Sequence, residues 1–190
     1  MNIGVFCASA DRIDETYFED ATKLGREIGR RSWGLIYGGT NCGLMREVAD
    51  ATLENGGRAV GIIPECIYER GVAAANVSEL VVMENMKERK NLMRERSDAF
   101  IALPGGWGTL EEITEVITLK QLGCHCKPIV FVNTSGFYDK FFNFIGKIRE
   151  EGFISSAYDE LYCVVEKIDD AFSYLENYQV ESLIDKYSSN

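Results

Sequence analysis

The sequence has few of the features that mark special classes of protein. It has only three prolines and one histidine in 190 residues, and no run approaches the roughly 18 uninterrupted apolar residues of a membrane span. Met1 leads directly into an apolar segment, so we expect no signal peptide. The composition predicts a cytoplasmic protein that does not bind membranes, folded as one domain over residues 1–190, with a frayed end from Ser188 to Asn190.

The cysteines lack the paired spacing of a disulfide framework or a zinc site. The only local cluster with ligand chemistry is Cys124-His125-Cys126, and it has no second pair of ligands. We therefore predict reduced thiols and no bound metal. His125 has no carboxylate nearby in sequence to tune it as an acid or base, so we interpret it as a structural turn residue. The six cysteines are Cys7, Cys42, Cys66, Cys124, Cys126 and Cys163.

The sequence also has fewer basic than acidic residues. Thirty acidic residues against twenty basic ones leave a formal net charge of -10, which disfavours nucleic acid as a partner because the surface as a whole repels polyanions. A small phosphorylated substrate stays open, because a ring of backbone N–H groups can hold a phosphate inside a net-negative protein.

Short apolar runs alternate with longer segments of helical period along the chain. This order predicts an α/β fold, a Rossmann-like open parallel sheet with helices on both faces. The segment from Pro64 to Ser78 has weak periodicity and is expected to be a loop or a short helix. The predicted strands are Ile3 to Ala8, Leu35 to Tyr37, Ala59 to Ile63, Leu80 to Met83, Ala99 to Leu103, Ile129 to Val132 and Cys163 to Val165. The predicted helices are Thr16 to Arg31, Leu44 to Asn55, Met86 to Arg96, Thr109 to Leu122, Tyr138 to Glu151 and Ile168 to Tyr178.

The most informative motif runs from Ala99 to Glu112, where an apolar strand leads through a glycine-rich turn into a helix. Gly105, Gly106 and Gly108 allow close approach of the backbone to a ligand and positive φ, and the helix expected from Thr109 directs unpaired N–H groups at the same point. The motif therefore predicts an anion site at the carboxyl edge of the sheet. An alternative stays open for Glu112, because the spacing from Thr109 also matches a capping box that merely starts a helix.

Two further segments have a chemical and a structural interpretation. A second glycine turn, from Tyr37 to Gly43, follows a strand and precedes a helix, so it could face the same crevice or serve only for tight packing. The run from Met86 to Lys90 places cations at the start of a helix, where a solvated helix face is the ordinary explanation.

Together these motifs resemble the LONELY GUY (LOG) family. Its hallmark is a P-G-G-x-G-T-x-x-E loop with an Arg-Lys pair about two dozen residues before the final glutamate, which correspond here to the segment from Pro104 to Glu112 and to Arg89 and Lys90. The resemblance covers Ile3 to Val165. Three positions depart from the family pattern: Lys87 stands in place of histidine, Trp107 in place of tyrosine or phenylalanine, and Arg46 in place of glycine.

The resemblance implies hydrolysis of a nucleoside 5′-monophosphate to free base and ribose 5-phosphate. It makes Glu112 and Arg89 the catalytic pair: a fixed carboxylate stabilises positive charge on the ribose, and the arginine anchors substrate oxygens. It implies a homodimer. The helix from Ile113 to Leu122 could contribute to the dimer interface, or its apolar stripe could belong to the core of the protomer. The resemblance implies no cofactor. The residues implied in substrate binding are Ser9, Gly39, Lys90, Pro104, Gly105, Gly106, Trp107, Gly108, Thr109, Glu111 and Thr118.

Two rival functions accompany this interpretation. Proteins of this kind are often labelled lysine decarboxylases, which would need pyridoxal phosphate on a lysine, and we see no such arrangement in the sequence. A non-catalytic carrier of nucleotides or cofactors with the same fold would have no need of Glu112 at the sugar. The sequence also leaves the preferred base open between adenine and a prenylated adenine.

Overall fold

The structure, a computed structural model, describes residues 1–179, except for the side chains of Ser156, Ala157 and Asp159. The predicted frayed end lies outside the described residues. The strands are β1 (Asn2–Phe6), β2 (Gly34–Tyr37), β3 (Arg58–Pro64), β4 (Glu79–Met83), β5 (Ala99–Ala102), β6 (Ile129–Val132) and β7 (Cys163–Val165). The helices are α1 (Glu15–Arg30), α2 (Gly43–Glu54), α3 (Glu65–Tyr68), α4 (Met86–Arg96), α5 (Trp107–Gln121), α6 (Asp139–Glu150) and α7 (Ile168–Asn177), with 3₁₀ turns at Thr134–Gly136 and Ser156–Leu161.

The predicted strands and helices are confirmed, with ends displaced by at most two residues. The first strand stops at Phe6 rather than Ala8, and α5 begins at Trp107 rather than Thr109. The segment expected to be a loop or a short helix contains the one-turn helix α3. No helix within residues 1–179 combines the length and apolar character needed to cross a bilayer.

All strand pairings in the described chain are parallel, and the sheet has the order β4-β3-β2-β1-β5-β6-β7. Most central strands are buried throughout, as expected for a parallel sheet covered on both faces. One face packs against apolar residues of α1, α2 and α7, and the other packs against α4 and α5. The predicted fold class is therefore confirmed.

The strand order places a crevice beside β1. This strand pairs with β2 on one side and with β5 on the other, so the connections after β1 and β5 leave the sheet in opposite directions. Ligands of open parallel sheets bind at such switch points, outside the carboxyl ends of the strands. The fold thus brings together the turns that follow β1, β2 and β5.

Candidate functional site

The glycine-rich turn after β5 exposes the N-terminus of α5. Gly106 is the residue before the first helical turn, and no side chain caps it. Within residues 1–179 we find no acceptor for the backbone N–H groups of Trp107, Gly108 and Thr109. A methyl group added at Gly106 or Gly108 would have no atom within 4 Å. These three N–H groups are therefore unpaired, with open space beside the turn and the positive end of the helix dipole behind them, which is an arrangement that binds anions.

Two predictions about this turn are wrong. Gly105, Gly106 and Gly108 do not take positive φ. Gly105 is instead required by close approach, because a methyl group there would collide with the side chain of Thr109. The capping box is also wrong: Gly106 precedes the helix, so Thr109 and Glu112 lie within it, and the carboxylate bonds to an arginine on another helix.

A cleft of about 450 Å³ lies against this turn. It receives seven of the residues predicted for the site: Ser9, Arg89, Gly106, Trp107, Gly108, Thr109 and Glu112. Sequence reasoning missed Cys7, Ala8, Ala10, Gly38, Thr40, Met45, Pro64, Ile67 and Met86. Several of these follow the carboxyl end of β1, β2 or β3, so the rule that ligands bind at those ends could have found them.

Arg89 and Glu112 form a buried ion pair in the lining of the cleft. Their side chains are 6% and 8% exposed, and Nη1 of Arg89 donates to Oε1 of Glu112. Nε of Arg89 donates to the carbonyl oxygen of Ile62 at 2.9 Å, and Nη1 also lies 3.4 Å from Sδ of Met86. Within the described chain Nη2 has no acceptor. Contacts with the protein thus hold two nitrogens of the guanidinium in place, and the third, Nη2, is available to donate to a ligand.

The carboxyl group of Glu112 is electrostatically balanced between two opposing effects. Burial raises its pKa above the ordinary value, while the charge and hydrogen bond of Arg89 lower it, and the net shift is upward. Cys7 lies in the same lining, and burial, assisted by the charge of Glu112, raises the pKa of its thiol far above the usual range. The Cys7 thiol is therefore protonated, and it lines the cleft without acting as a nucleophile.

Six residues predicted for the site lie outside the lining of the cleft: Gly39, Lys90, Pro104, Gly105, Glu111 and Thr118. Lys90 pairs with Glu111 and, at 3.2 Å, with Glu115. Burial opposes the charged form of Lys90, but these two carboxylates raise its pKa overall. The ammonium group of Lys90 is thus paired with carboxylates of α5 and does not line the cleft.

Three more of these residues outside the lining make contacts within the protein: Pro104, Gly39 and Thr118. The carbonyl of Pro104 accepts from the N–H of Ala8 at 3.2 Å. Gly39 takes φ +78°, and its carbonyl accepts from the N–H of Ala74 at 2.9 Å. Thr118 donates to the carbonyl of Thr114 at 2.8 Å and lines a separate cavity between α5 and α6. Nine residues make about two and a half helical turns, so Thr118 faces the side of α5 opposite Thr109.

The second glycine turn lines the cleft, and the helix behind it begins with fewer free N–H groups than α5. Gly38 and Thr40 line the cleft. The first N–H groups of α2 are already bonded, Gly43 to Oδ1 of Asp11 at 3.0 Å and Met45 to the carbonyl of Ala8 at 3.3 Å. The two glycine turns do face one crevice, as the sequence allowed, but of the two helices behind them only α5 begins with three N–H groups that all lack an acceptor within residues 1–179.

The structural interpretation of His125 is confirmed. Its Nδ1 accepts from the N–H of Lys127 at 3.2 Å, so Nε2 donates to the carbonyl of Val116 at 3.0 Å. Burial lowers the pKa of this imidazole. All six cysteines are free, and within residues 1–179 no group of three or more histidine, cysteine or acidic side chains is arranged to hold a metal ion.

Of the three positions that depart from the family pattern, only Trp107 lines the cleft. Trp107 lines the cleft with 88% of its surface exposed. Arg46 lies 3.4 Å from Asp11 in a partly exposed ion pair. Lys87 is exposed and outside the lining.

Comparison with solved structures shows the same fold in proteins of low sequence identity. The Moco carrier protein from Chlamydomonas reinhardtii has a TM-score of 0.68 and 24% identity, covering 92% of this chain and 94% of that one. The molybdenum cofactor binding protein from the phototrophic bacterium Rippkaea orientalis has a TM-score of 0.70 and 20% identity over the same shares of the two chains. At these identities the likeness concerns the fold alone.

Comparison with curated proteins and with family models is more specific. A "Probable cytokinin riboside 5′-monophosphate phosphoribohydrolase" of Oryza sativa subsp. japonica is 41% identical over 174 residues, 92% of this chain and 77% of the relative. A cytokinin riboside 5′-monophosphate phosphoribohydrolase of Arabidopsis thaliana is 42% identical over 176 residues, 93% of this chain and 82% of the relative. The family model described as "Possible lysine decarboxylase" matches residues 45–175. The match of the family model and the identity to these relatives both show that the chain belongs to the LONELY GUY family.

Proposed function

We propose that this protein is a phosphoribohydrolase that hydrolyses the N-glycosidic bond of a nucleoside 5′-monophosphate, AMP or an N6-prenylated AMP, to free base and ribose 5-phosphate. The observation that carries the proposal is the buried pair of Arg89 and Glu112 in a cleft that also contains the open N-terminus of α5. The names of the relatives support the same reaction.

The free N–H groups of Trp107, Gly108 and Thr109 bind the phosphate in this proposal. They are preorganised by the helix and carry the positive end of its dipole, so they hold a dianion without a lysine. The hydroxyl of Thr109 lies in the lining and adds a donor. Ser9, on the turn after β1, supplies a further hydroxyl at the same edge of the sheet.

Glu112 stabilises the reacting sugar. Departure of the base develops positive charge on the ribose ring, and a buried carboxylate stabilises that charge and orients the attacking water. Burial strengthens this interaction because little solvent screens it. Burial raises the pKa of Glu112, Arg89 lowers it and so favours the ionised carboxylate, and the Nη2 atom of Arg89 donates to oxygens of the substrate.

Water is the second substrate, so the chemistry requires no cofactor. The larger apolar side chains of the lining form the less polar part of the cleft, where we place the base: Met45, Pro64, Ile67, Met86 and Trp107. Their apolar surface accommodates adenine or an adenine with an apolar N6 substituent.

We further propose a cytoplasmic homodimer built from one domain per protomer. On α5, Ile113 and Val116 are buried in the core, so the inner stripe of this helix is not free for a partner. The neighbouring helix α6 has no fully buried residue, and its Phe144 is 61% exposed. Leu122 and Phe153 add exposed apolar surface. We place the dimer contact there, because a monomer rarely leaves several large apolar side chains in water. The six free cysteines fit a reducing compartment.

A screen of nucleoside monophosphates tests the activity directly. Purified protein is incubated with AMP, N6-isopentenyl-AMP, GMP, CMP and UMP, and the free base and ribose 5-phosphate are quantified by HPLC. Release of both products in equal amounts from one or more nucleotides supports the proposal. Saturable nucleotide binding without release of base would overturn it and favour a carrier.

A further inference from the structure

We propose that Gly38 is a positioning residue for Arg89: the absence of a side chain at Gly38 leaves the space in which the guanidinium lies. This inference rests on the proposed function in giving Arg89 a part in catalysis. Gly38 directly follows the last residue of β2, and it lines the cleft with its backbone alone because glycine has no side chain. Its contribution is therefore the volume that it leaves empty.

The space beside Gly38 is filled by two side chains of the cleft. A methyl group at this position would lie 2.6 Å from Nη2 of Arg89, 2.9 Å from Sδ of Met45 and 3.1 Å from Cε of Met45. Ordinary van der Waals contact begins near 3.5 Å. An alanine at position 38 thus requires the guanidinium, the methionine or both to move.

Neither neighbour can move without losing a bond. Nε of Arg89 donates to Ile62 and Nη1 donates to Glu112, so a shift of the guanidinium breaks the pair on which the proposed chemistry depends. Sδ of Met45 accepts from the hydroxyl of Thr40 at 3.1 Å, which holds the methionine in place. Nη2, the atom closest to the added methyl group, is also the one left for the substrate.

The backbone gives no other reason for glycine at this position. Gly38 does not take positive φ, in contrast to its neighbour Gly39 at +78°. Alanine is therefore compatible with the chain conformation, and all three close atoms are ends of flexible side chains. The substitution should displace Arg89 while the fold survives, which separates a positioning role from a structural one.

A matched control lies at the start of β2, the strand that Gly38 follows. A methyl group at Gly34, which also lacks positive φ, would crowd the side chain of Asn2, an exposed residue outside the lining of the cleft, while the carbonyl oxygen of Arg58 lies 3.9 Å away. Gly34→Ala therefore introduces the same crowding against a flexible side chain without touching Arg89.

The first test observes the arginine itself, independently of activity. The Nε–H of Arg89 is buried and hydrogen-bonded, so it gives a slowly exchanging ¹H–¹⁵N signal, which is assigned by its loss in Arg89→Lys. We expect this signal to shift or broaden in Gly38→Ala and to keep its position in Gly34→Ala. An unshifted Arg89 signal in folded Gly38→Ala protein would overturn the inference.

The second test is a double-mutant cycle on kcat/KM for the preferred monophosphate. We expect Gly38→Ala to lower kcat/KM at least about tenfold in the parent protein and to have no further effect in the Arg89→Ala background, because interacting residues are non-additive. Equal losses in both backgrounds would show that Gly38 acts through something other than Arg89. If Arg89→Ala itself leaves turnover intact, the proposed role of Arg89 fails, and the NMR signal still decides whether Gly38 positions it.

Discussion

Arg89 on α4 and Glu112 on α5 meet in a buried ion pair, although 23 residues separate them in sequence. The pair lies in the lining of the cleft beside the open N-terminus of α5. Unpaired charges at this depth would be strongly destabilising. The pairing keeps a carboxylate at the place where the proposed reaction develops positive charge.

Replacing Glu112 by glutamine should abolish turnover but not folding. Glutamine keeps the shape and can still accept from Arg89, but it carries no negative charge. We expect kcat/KM to fall by at least about a hundredfold, the scale of losing a preorganised electrostatic group. Glu115→Gln, on the same helix but outside the cleft, is the control and should retain activity. Near-parental turnover in Glu112→Gln would remove the carboxylate from the mechanism.

Arg89→Ala should make stability depend on pH. It leaves Glu112 buried without its cation, so the pKa of this carboxyl, already raised by burial, rises further. A raised folded pKa means that stability is greatest at low pH and is lost as pH rises through that pKa. We expect the variant to lose about 3 kcal/mol of unfolding free energy at pH 8 and clearly less at pH 5.

Urea unfolding of Arg89→Ala and the parent at both pH values measures this difference. Arg30→Ala, an exposed arginine of α1, serves as control. Arg30 is 63% exposed and lies 3.5 Å from Glu27, whereas Arg94 is 20% exposed and holds a closer pair with Glu115 at 2.8 Å, so Arg94 is unsuitable for this purpose. A pH-independent loss in Arg89→Ala would contradict the coupling between Arg89 and Glu112.

The phosphate should contribute much of the specificity. The free N–H groups of α5 act on an anion and have nothing to bind in a plain nucleoside. We expect kcat/KM for adenosine to lie at least about a hundredfold below that for AMP, since charge-assisted hydrogen bonds are lost. Steady-state kinetics with the two substrates measures the ratio. Similar values would exclude the proposed phosphate site.

Lys120→Met should stabilise the protein at neutral pH. Lys120 is fully buried, and within residues 1–179 its Nζ has no hydrogen-bond acceptor, only the ring of Tyr178 at 5.1 Å. Burial lowers the pKa of this amine to about 8. Below pH 8 the folded state therefore carries a buried charge, and this cost fades as pH rises from 8 towards the unfolded pKa.

We expect Lys120→Met to gain about 2 kcal/mol in unfolding free energy at pH 7 and little at pH 10. Urea unfolding of both proteins at the two pH values gives the difference in unfolding free energy. The contributions of ionisable groups that both proteins contain cancel in this difference. Lys147→Met, which removes an exposed lysine, is the control. A variant that is less stable than the parent at pH 7 would show that Lys120 has a partner that stabilises its charge.

The proposed dimer predicts a change in mass when Phe144 becomes aspartate. Phe144 is 61% exposed on α6, so the change leaves the core of the protomer intact, while a charge in an apolar contact opposes association. We expect a dimeric parent and a monomeric Phe144→Asp variant by light scattering after gel filtration. A parent that is monomeric at micromolar concentration would refute the proposed contact.

The sequence by itself determined the elements and the class of fold, though not the order of the strands. Apolar strands alternating with amphipathic helices favour a parallel sheet with helices on both faces, because each apolar stripe must be covered. The glycine turn after β5 and the helix expected behind it likewise predicted unpaired N–H groups at a helix N-terminus, and the structure has Gly106 before α5 with no side-chain cap. Local patterns suffice for such features because they depend on neighbours in the chain.

Only the tertiary structure decided which side chains share the cleft. Arg89 and Lys90 are adjacent, but consecutive helical residues point about 100° apart, so one faces the cleft and the other pairs with Glu111. Thr118 faces away from Thr109 for the same reason. Gly38 acquires its importance from an arginine 51 residues further on, and Glu112 is a partner of that arginine rather than a cap. Such relationships depend on how distant elements pack, and no local pattern encodes them.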